Sequence, residues 1–310
     1  MFVETGHKDE FANNKLPTTE ALPKFKTDLY PYQKKLNAGV ELVDALVERG
    51  FGDHTALIGA NGSLSYRQLS ELSNKIAQVL TEDFGIVPGN RVMIRSKNCP
   101  MMVACFLAVL KAGAIAFNTI SQMRANELNI LIDKAKVDLV LCQKGLGEEL
   151  DRLNGKIAPE LKIAEFSTCD DDDAEINNLA ASKSTDFDVV TTSQHDIALL
   201  ASTSGTTGKP KITMHCHRDI LAIADGFARQ RIKLVPGDIC IGTQPLAFTF
   251  GLGGLAVFPL RFAATAVLLE QTSPSNLPEL IDRYGATVCF SAPTAYKTML
   301  SQKSNFELLK

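Results

Sequence analysis

Residues 199 to 211 read Leu199-Leu200-Ala201-Ser202-Thr203-Ser204-Gly205-Thr206-Thr207-Gly208-Lys209-Pro210-Lys211, an apolar run that turns abruptly into Ser, Thr, Gly and Lys. Gly205 and Gly208 let the backbone approach a ligand closely and adopt angles closed to other residues. Ser202, Thr203, Ser204, Thr206 and Thr207 crowd hydroxyl donors around them, and Lys209 and Lys211 add positive charge. Backbone N–H groups, hydroxyls and a cation converging on one loop make a cradle for a phosphate. The G-x-x-x-x-G-K-[ST] loop does not fit: the two glycines are three apart, and Pro210 stands where that motif needs a hydroxyl for magnesium. A flexible Ser/Gly linker does not fit either, because an apolar segment leads in and a helical pattern follows.

STSGTTGKPK resembles, without a gap, the phosphate-loop signature of the AMP-forming adenylating enzymes, the superfamily of acyl-CoA synthetases, peptide-synthetase adenylation domains and beetle luciferases. The following ITMHCHRDI and QPLAFTFGLGGLAVFPLR look most like the benzoate and 2-aminobenzoate CoA ligase branch. Ile212 departs from the small residue usual in the family after the Pro-Lys pair.

The 310 residues exceed what one small core needs. A hydrophobic fraction of 45% and a charged fraction of 22% are those of a globular protein. Thirty-five acidic against 32 basic side chains leave a net charge of -3 and no basic patch, which argues against nucleic acid. The seven cysteines are scattered singly, which fits a reducing cytoplasm. His215-Cys216-His217 lacks a second ligand pair, so no metal site is expected there. The N-terminus has no signal-peptide core. The uncharged run 239–260 is broken by glycine, proline and polar residues, and no membrane span is expected.

Along the chain, residues 1–36 read as an extended arm. Residues 37–49 carry a helical stripe; Asn61-Gly62 suggests a hairpin turn; and Ser65 can cap a helix striped by Leu69, Leu72, Ile76, Val79 and Leu80. From residue 91 the pattern alternates strand and helix, the signature of crossover-connected α/β structure with a mainly parallel sheet. Asp170 to Asp173 read as a solvated loop. A second block echoes the first: VPGN at 87–90 returns as VPGD at 235–238, KAGAIAF at 111–117 as RFAATAV at 261–267, and LIDKAKVDLVLC at 131–142 as LIDRYGATVCFS at 280–291, at offsets of 148, 150 and 149. The expected fold class is therefore α/β, with two related, mainly parallel sheets and helices packed around and between them. The first subdomain is expected at 37–190 and the second, with the phosphate loop, at 191–310.

The resemblance implies an ATP-dependent carboxylate CoA ligase, acting on an aromatic acid such as benzoate or 2-aminobenzoate. It assigns the ATP phosphates to Thr203, Ser204, Gly205, Thr206, Thr207, Gly208 and Lys209, with Lys209 as the catalytic charge, and it implies Mg2+ with the nucleotide and coenzyme A as co-substrate. It places the acid beside Phe248, Thr249, Phe250 and Gly251, where aromatic rings border glycine-made space, the alternative being that both phenylalanines fill the core. Residues 291–300 resemble the next pocket wall. His217 is expected to cap or pack its helix rather than act as a base. The family's adenine-contacting segment, ribose anchor and catalytic C-terminal lysine lie past the position matched by Lys310, so the chain is expected to be a front portion that does not complete adenylation efficiently alone. The rival reading is a non-catalytic nucleotide- or acyl-binding module or a truncated gene product. The sequence names neither the acid's substituents nor an oligomeric state.

Overall fold

The computed structural model describes residues 5–18, 20–21, 30–153, 161–168, 173–203 and 210–301. A hairpin of β1 (Thr55–Gly59) and β2 (Gly62–Ser65) leads into α1 (Tyr66–Gln78). Then follow β3 (Arg91–Ser96), α2 (Pro100–Lys111), β4 (Ile115–Ile120), α3 (Ala125–Ala135), β5 (Leu139–Gln143), α4 (Glu148–Asp151), β6 (Lys162–Phe166) and α5 (Glu175–Ala181). A second hairpin, β7 (Ile197–Thr203) and β8 (Lys211–Cys216), opens the second series: α6 (His217–Ile223), β9 (Ile239–Gly242), α7 (Thr249–Leu252), α8 (Phe258–Arg261), β10 (Thr265–Val267), α9 (Leu277–Tyr284), β11 (Val288–Phe290) and α10 (Pro293–Ser301). Wider-wound helical turns extend several of these, at Val79–Asp83, Ala224–Ile232 and Gly253–Val257.

The strands form two sheets, ordered β6-β5-β3-β4-β7-β8 and β11-β9-β10-β1-β2. All pairings are parallel except within the two hairpins. The trio β5-β3-β4 has the same order as β11-β9-β10, so the sequence echo is one supersecondary unit built twice. Matching details recur at matching places. Lys136 and Gly285 end α3 and α9 in the left-handed conformation. Asp138 Oδ2 accepts from Arg91 N at 2.8 Å where Thr287 Oγ1 accepts from Ile239 N at 3.0 Å.

Sheet membership does not follow a division of the chain near residue 190. Hairpin β1–β2 lies in the sheet of β9 to β11, and hairpin β7–β8 lies in the sheet of β3 to β6. Each unit's leading hairpin extends the sheet of the other, through β1 on β10 and β7 on β4. The first turn also differs from expectation: Gly59 pairs with Gly62, so the tip is Ala60-Asn61, and Gly62 takes φ 140° inside the strand.

Strand residues alternate between cores, which is why these strands are apolar on both faces. Val92, Ile94, Leu139 and Leu141 join a central core with α1, α2 and the helices around residue 255; Met93, Val140 and Phe117 pack outward against α3. Ile241 and Val267 pack outward against α9 and α10. The result is five layers, helix, sheet, helix, sheet, helix.

Helix α2 is buried from Met101 to Lys111. Its terminal Lys111 bonds Asp44 Oδ1 and Asn74 Oδ1, both at 2.7 Å, with no exposed side-chain surface. Burial lowers its pKa against the opposing pull of Asp44. Asp44→Ala strands this ammonium and is expected to cost roughly 3 kcal/mol in urea unfolding. Lys111→Met, which removes the charge and keeps the stem, is expected to cost clearly less; equal losses would show that the pair is not what the site depends on.

Candidate functional site

The β7–β8 hairpin is closed by the Ser/Thr/Gly/Lys loop. Its register pairs Thr203 with Lys211, Ala201 with Thr213, and Leu199 with His215. Because side chains alternate along strands, Leu199, Ala201, Thr203, Thr213 and His215 share one face. That face meets Asp219, Ile220 and Ile223 of α6, and Thr249, Leu252, Gly253 and Val257, which recur on one side of the α7 helix and its extension. Phe248, the cap of α7, completes the wall. Together they enclose a cavity of about 620 Å³ that is mostly apolar, within the size range of small-molecule sites.

Of the expected phosphate contacts, Thr203 stands at the root of the loop and at the edge of this cavity, whereas Ser204, Gly205, Thr206, Thr207, Gly208 and Lys209 lie outside the described residues. Lys134 at the end of α3 donates to the carbonyl of Pro210 at 2.8 Å, tying the loop's far root to the first unit. Ile212 pairs with Ser202 and packs on the outer core of the first sheet.

Of the expected acid contacts, Phe248 and Thr249 line the cavity, and Phe248 is 44% exposed rather than core. Phe250 is 48% exposed and does not line the cavity. Gly251 does not border it either. A Cβ at Gly251 would lie 2.0 Å from the carbonyl oxygen of Pro245, so this glycine lets helix and preceding loop touch. Residues 291–300 stand apart, with Ala295 and Met299 buried and Thr243 Oγ1 2.7 Å from Ser291 Oγ.

Two residues that the sequence reading passed over hold this loop in place. Asn98, after β3, donates to Gln244 O at 2.9 Å and accepts from Leu246 N at 2.8 Å, while Asn118 of β4 donates to Leu246 O at 3.3 Å. The first sheet thus fixes the loop that presents Phe248 and Thr249. The available signal was Asn118 itself, a polar residue inside the apolar strand Ile115–Ile120.

His217 is fully buried, and its Nδ1 accepts from Ala38 N at 3.1 Å. Burial pushes its pKa down to about 3, with Asp196 opposing and His7 assisting. It packs the start of α6 and does not face the cavity. His215 does, and its Nε2 lies 3.0 Å from Thr213 Oγ1, which in turn donates to Ala201 O at 3.2 Å. Among the described residues no group of three or more His, Cys, Asp or Glu could hold a metal ion, and no helix is long and apolar enough to cross a membrane. Residues 239–260 are a strand, a turn and a buried helix.

The hairpin whose strands end at Thr203 and Lys211 thus borders an apolar cavity at the junction of two α/β units. The AMP-binding enzyme family matches residues 45–309, and the chain belongs to it. A benzoate–CoA ligase of Thauera aromatica is 30% identical over 271 residues, covering 86% of this chain and 51% of the relative. A 3-hydroxybenzoate/4-hydroxybenzoate–CoA ligase of the same organism is 27% identical over 277 residues, covering 87% and 52%. The anthranilate CoA ligase AuaEII, solved with anthranoyl-AMP, shares the fold at TM-score 0.82 and 24% identity over 90% of this chain and 53% of that one. A benzoate CoA ligase from Burkholderia xenovorans LB400 does so at TM-score 0.77 and 21% identity, over 85% and 52%. The chain spans about half the length of the curated relatives it matches.

Two outcomes check this geometry. Gly251→Ala forces a backbone clash and is expected to lower unfolding stability by about 2 to 3 kcal/mol, as overpacking at a backbone contact does; a neutral variant would mean that the Pro245 approach is not held. For His217, the unfolded chain takes a proton near pH 6.5 whereas the folded imidazole resists until about pH 3. Stability is therefore full above pH 6.5 and drains below it. Between pH 7 and 5 the native chain should lose about 2 kcal/mol more than His217→Asn, which keeps an acceptor for Ala38. Parallel pH profiles would contradict the buried neutral imidazole.

Proposed function

We propose that this chain supplies the acid- and phosphate-binding part of an ATP-dependent carboxylate CoA ligase for an aromatic acid such as benzoate or 2-aminobenzoate. In that reaction a carboxylate oxygen attacks the α-phosphorus of ATP, the bond to the bridging oxygen breaks, and pyrophosphate leaves. The thiol of coenzyme A then displaces AMP from the acyl carbon. The observation that carries the reading is spatial: the hairpin closed by the STSGTTGKPK loop opens on the same cavity as Phe248 and Thr249. The names of the benzoate and hydroxybenzoate ligase relatives support an aromatic acid.

The physical obstacle is bringing an anionic carboxylate to a polyanion. Thr203, with the loop residues Ser204 to Lys209, offers hydroxyls, backbone N–H groups and the Lys209 charge to neutralise the β- and γ-phosphates, and the apolar wall orients the ring for in-line attack. Mg2+ accompanies the nucleotide in this reading. Cytoplasmic placement, where ATP and CoA are at hand, is part of the same proposal.

Thr249→Phe fills the cavity and is expected to weaken binding of benzoate-type acids about tenfold or more, leaving affinity for a non-hydrolysable ATP analogue within about twofold. Lys209→Ala should do the reverse. Isothermal titration of both ligands reads this directly, and an unchanged acid affinity in Thr249→Phe would remove the cavity from the mechanism. Acid-dependent pyrophosphate release separates a ligase from a module that only binds.

A further inference from the structure

Resting on the acid-pocket reading above, we propose that His215 is a specificity residue that selects acids carrying a hydrogen-bond donor, a hydroxyl or amino group, at the end of the molecule remote from the carboxylate. The Thr213 hydroxyl has one proton, and Ala201 O, 3.2 Å away, can only accept it. With that proton given to Ala201 O, it is the imidazole that donates in the contact between Thr213 Oγ1 and His215 Nε2 at 3.0 Å. In that arrangement the ring is the Nε2–H tautomer, which leaves Nδ1 as a lone-pair acceptor, with no hydrogen bond to it among the described residues.

The position of His215 sets which part of a ligand meets it. His215 pairs with Leu199, four residues back from Thr203 at the loop root. At roughly 3.3 Å per residue this is about 13 Å along the hairpin. A carboxylate directed at the loop therefore turns its far end towards His215. Asp219 lines the same cavity, its Oδ2 already accepting from Cys216 N at 2.9 Å, so the polar groups at this end are acceptors. An apolar end group leaves Nδ1 desolvated without a partner, and a donor satisfies it. The cavity of about 620 Å³ is several times the roughly 150 Å³ that holds benzene in an engineered core, so acids of one or two rings fit.

The test is isothermal titration of the 310-residue chain with matched pairs at two lengths: 4-hydroxybenzoate against 4-methylbenzoate, and 6-hydroxy-2-naphthoate against 2-naphthoate. In at least one pair the hydroxylated acid should bind about five- to tenfold tighter. His215→Phe should erase that preference, and His215→Gln, whose side-chain oxygen is again an acceptor, should restore part of it. Nitrogen-15 shifts of the histidine ring in the unaltered chain provide a check that no variant's folding can spoil, with Nε2 protonated and Nδ1 bare at pH 8. Equal affinities within both pairs, or an Nδ1–H tautomer, overturn the assignment to His215 and leave the acid pocket standing. Binding of none of the four acids overturns the pocket and this inference together.

Discussion

The whole molecule hangs on one helix that has no side facing water. Helix α2 is buried along its length, and α1 and the helix that follows Thr249 lie beside it between the two sheets. A helix apolar all round is stable only when enclosed, so both sheets must be present for either to be covered. This explains why the strands are apolar on the faces turned to it, and several of the polar groups inside are tightly answered. Lys111 has Asp44 and Asn74, and Tyr66 donates to Pro259 O and Ala264 O. Arg91, only 4% exposed, is flanked by Asp9 of the N-terminal arm and Asp138 of the first unit.

The cavity lies where that enclosure stops. One wall is the β7–β8 hairpin, which extends the sheet of β3 to β6, the other is α6 and the helix that begins at Thr249, and the loop before that helix is held by Asn98 and Asn118 reaching across. The proposed binding cavity and the fold therefore draw on the same contacts. The loop that leads to Phe248 and Thr249 is held by residues that do not line the cavity, which is how a site built on loops keeps the precision of a scaffold.

Much of this was legible because burial imprints a period. Strands and helices from Arg91 to Cys142 fall where the apolar pattern puts them, and the echo at an offset near 149 announced the second unit. Periodicity reports which face of a strand is buried, not which strand lies beside it, so the placement of the two hairpins was invisible. The role of Gly251 was hidden for a related reason: a glycine beside aromatics reads equally as room for a ligand or room for a carbonyl, and here Pro245 O fills it. Asn98 and Asn118 act across the unit boundary, and no local pattern links residue 118 to residue 246. His215 and His217 look alike in sequence, two residues apart, yet one lines the cavity and the other is sealed behind it.

The exchange of hairpins has a consequence for how the chain comes into being. Leu57 pairs with Ala266, so the first hairpin is synthesised about 200 residues before the strand it rests on. At translation rates of roughly 5 to 20 residues per second, that is a wait of ten to forty seconds with a bare strand edge. The second hairpin meets no such delay, since β4 already exists when β7 appears. The sheet of β3 to β8 can therefore assemble in order as it leaves the ribosome, while the other must close around the oldest part of the chain at the end. Its contacts of long sequence separation make that closure the slow step. Until it happens, the exposed side of α1 and the edge of β1 are the surfaces a chaperone would find.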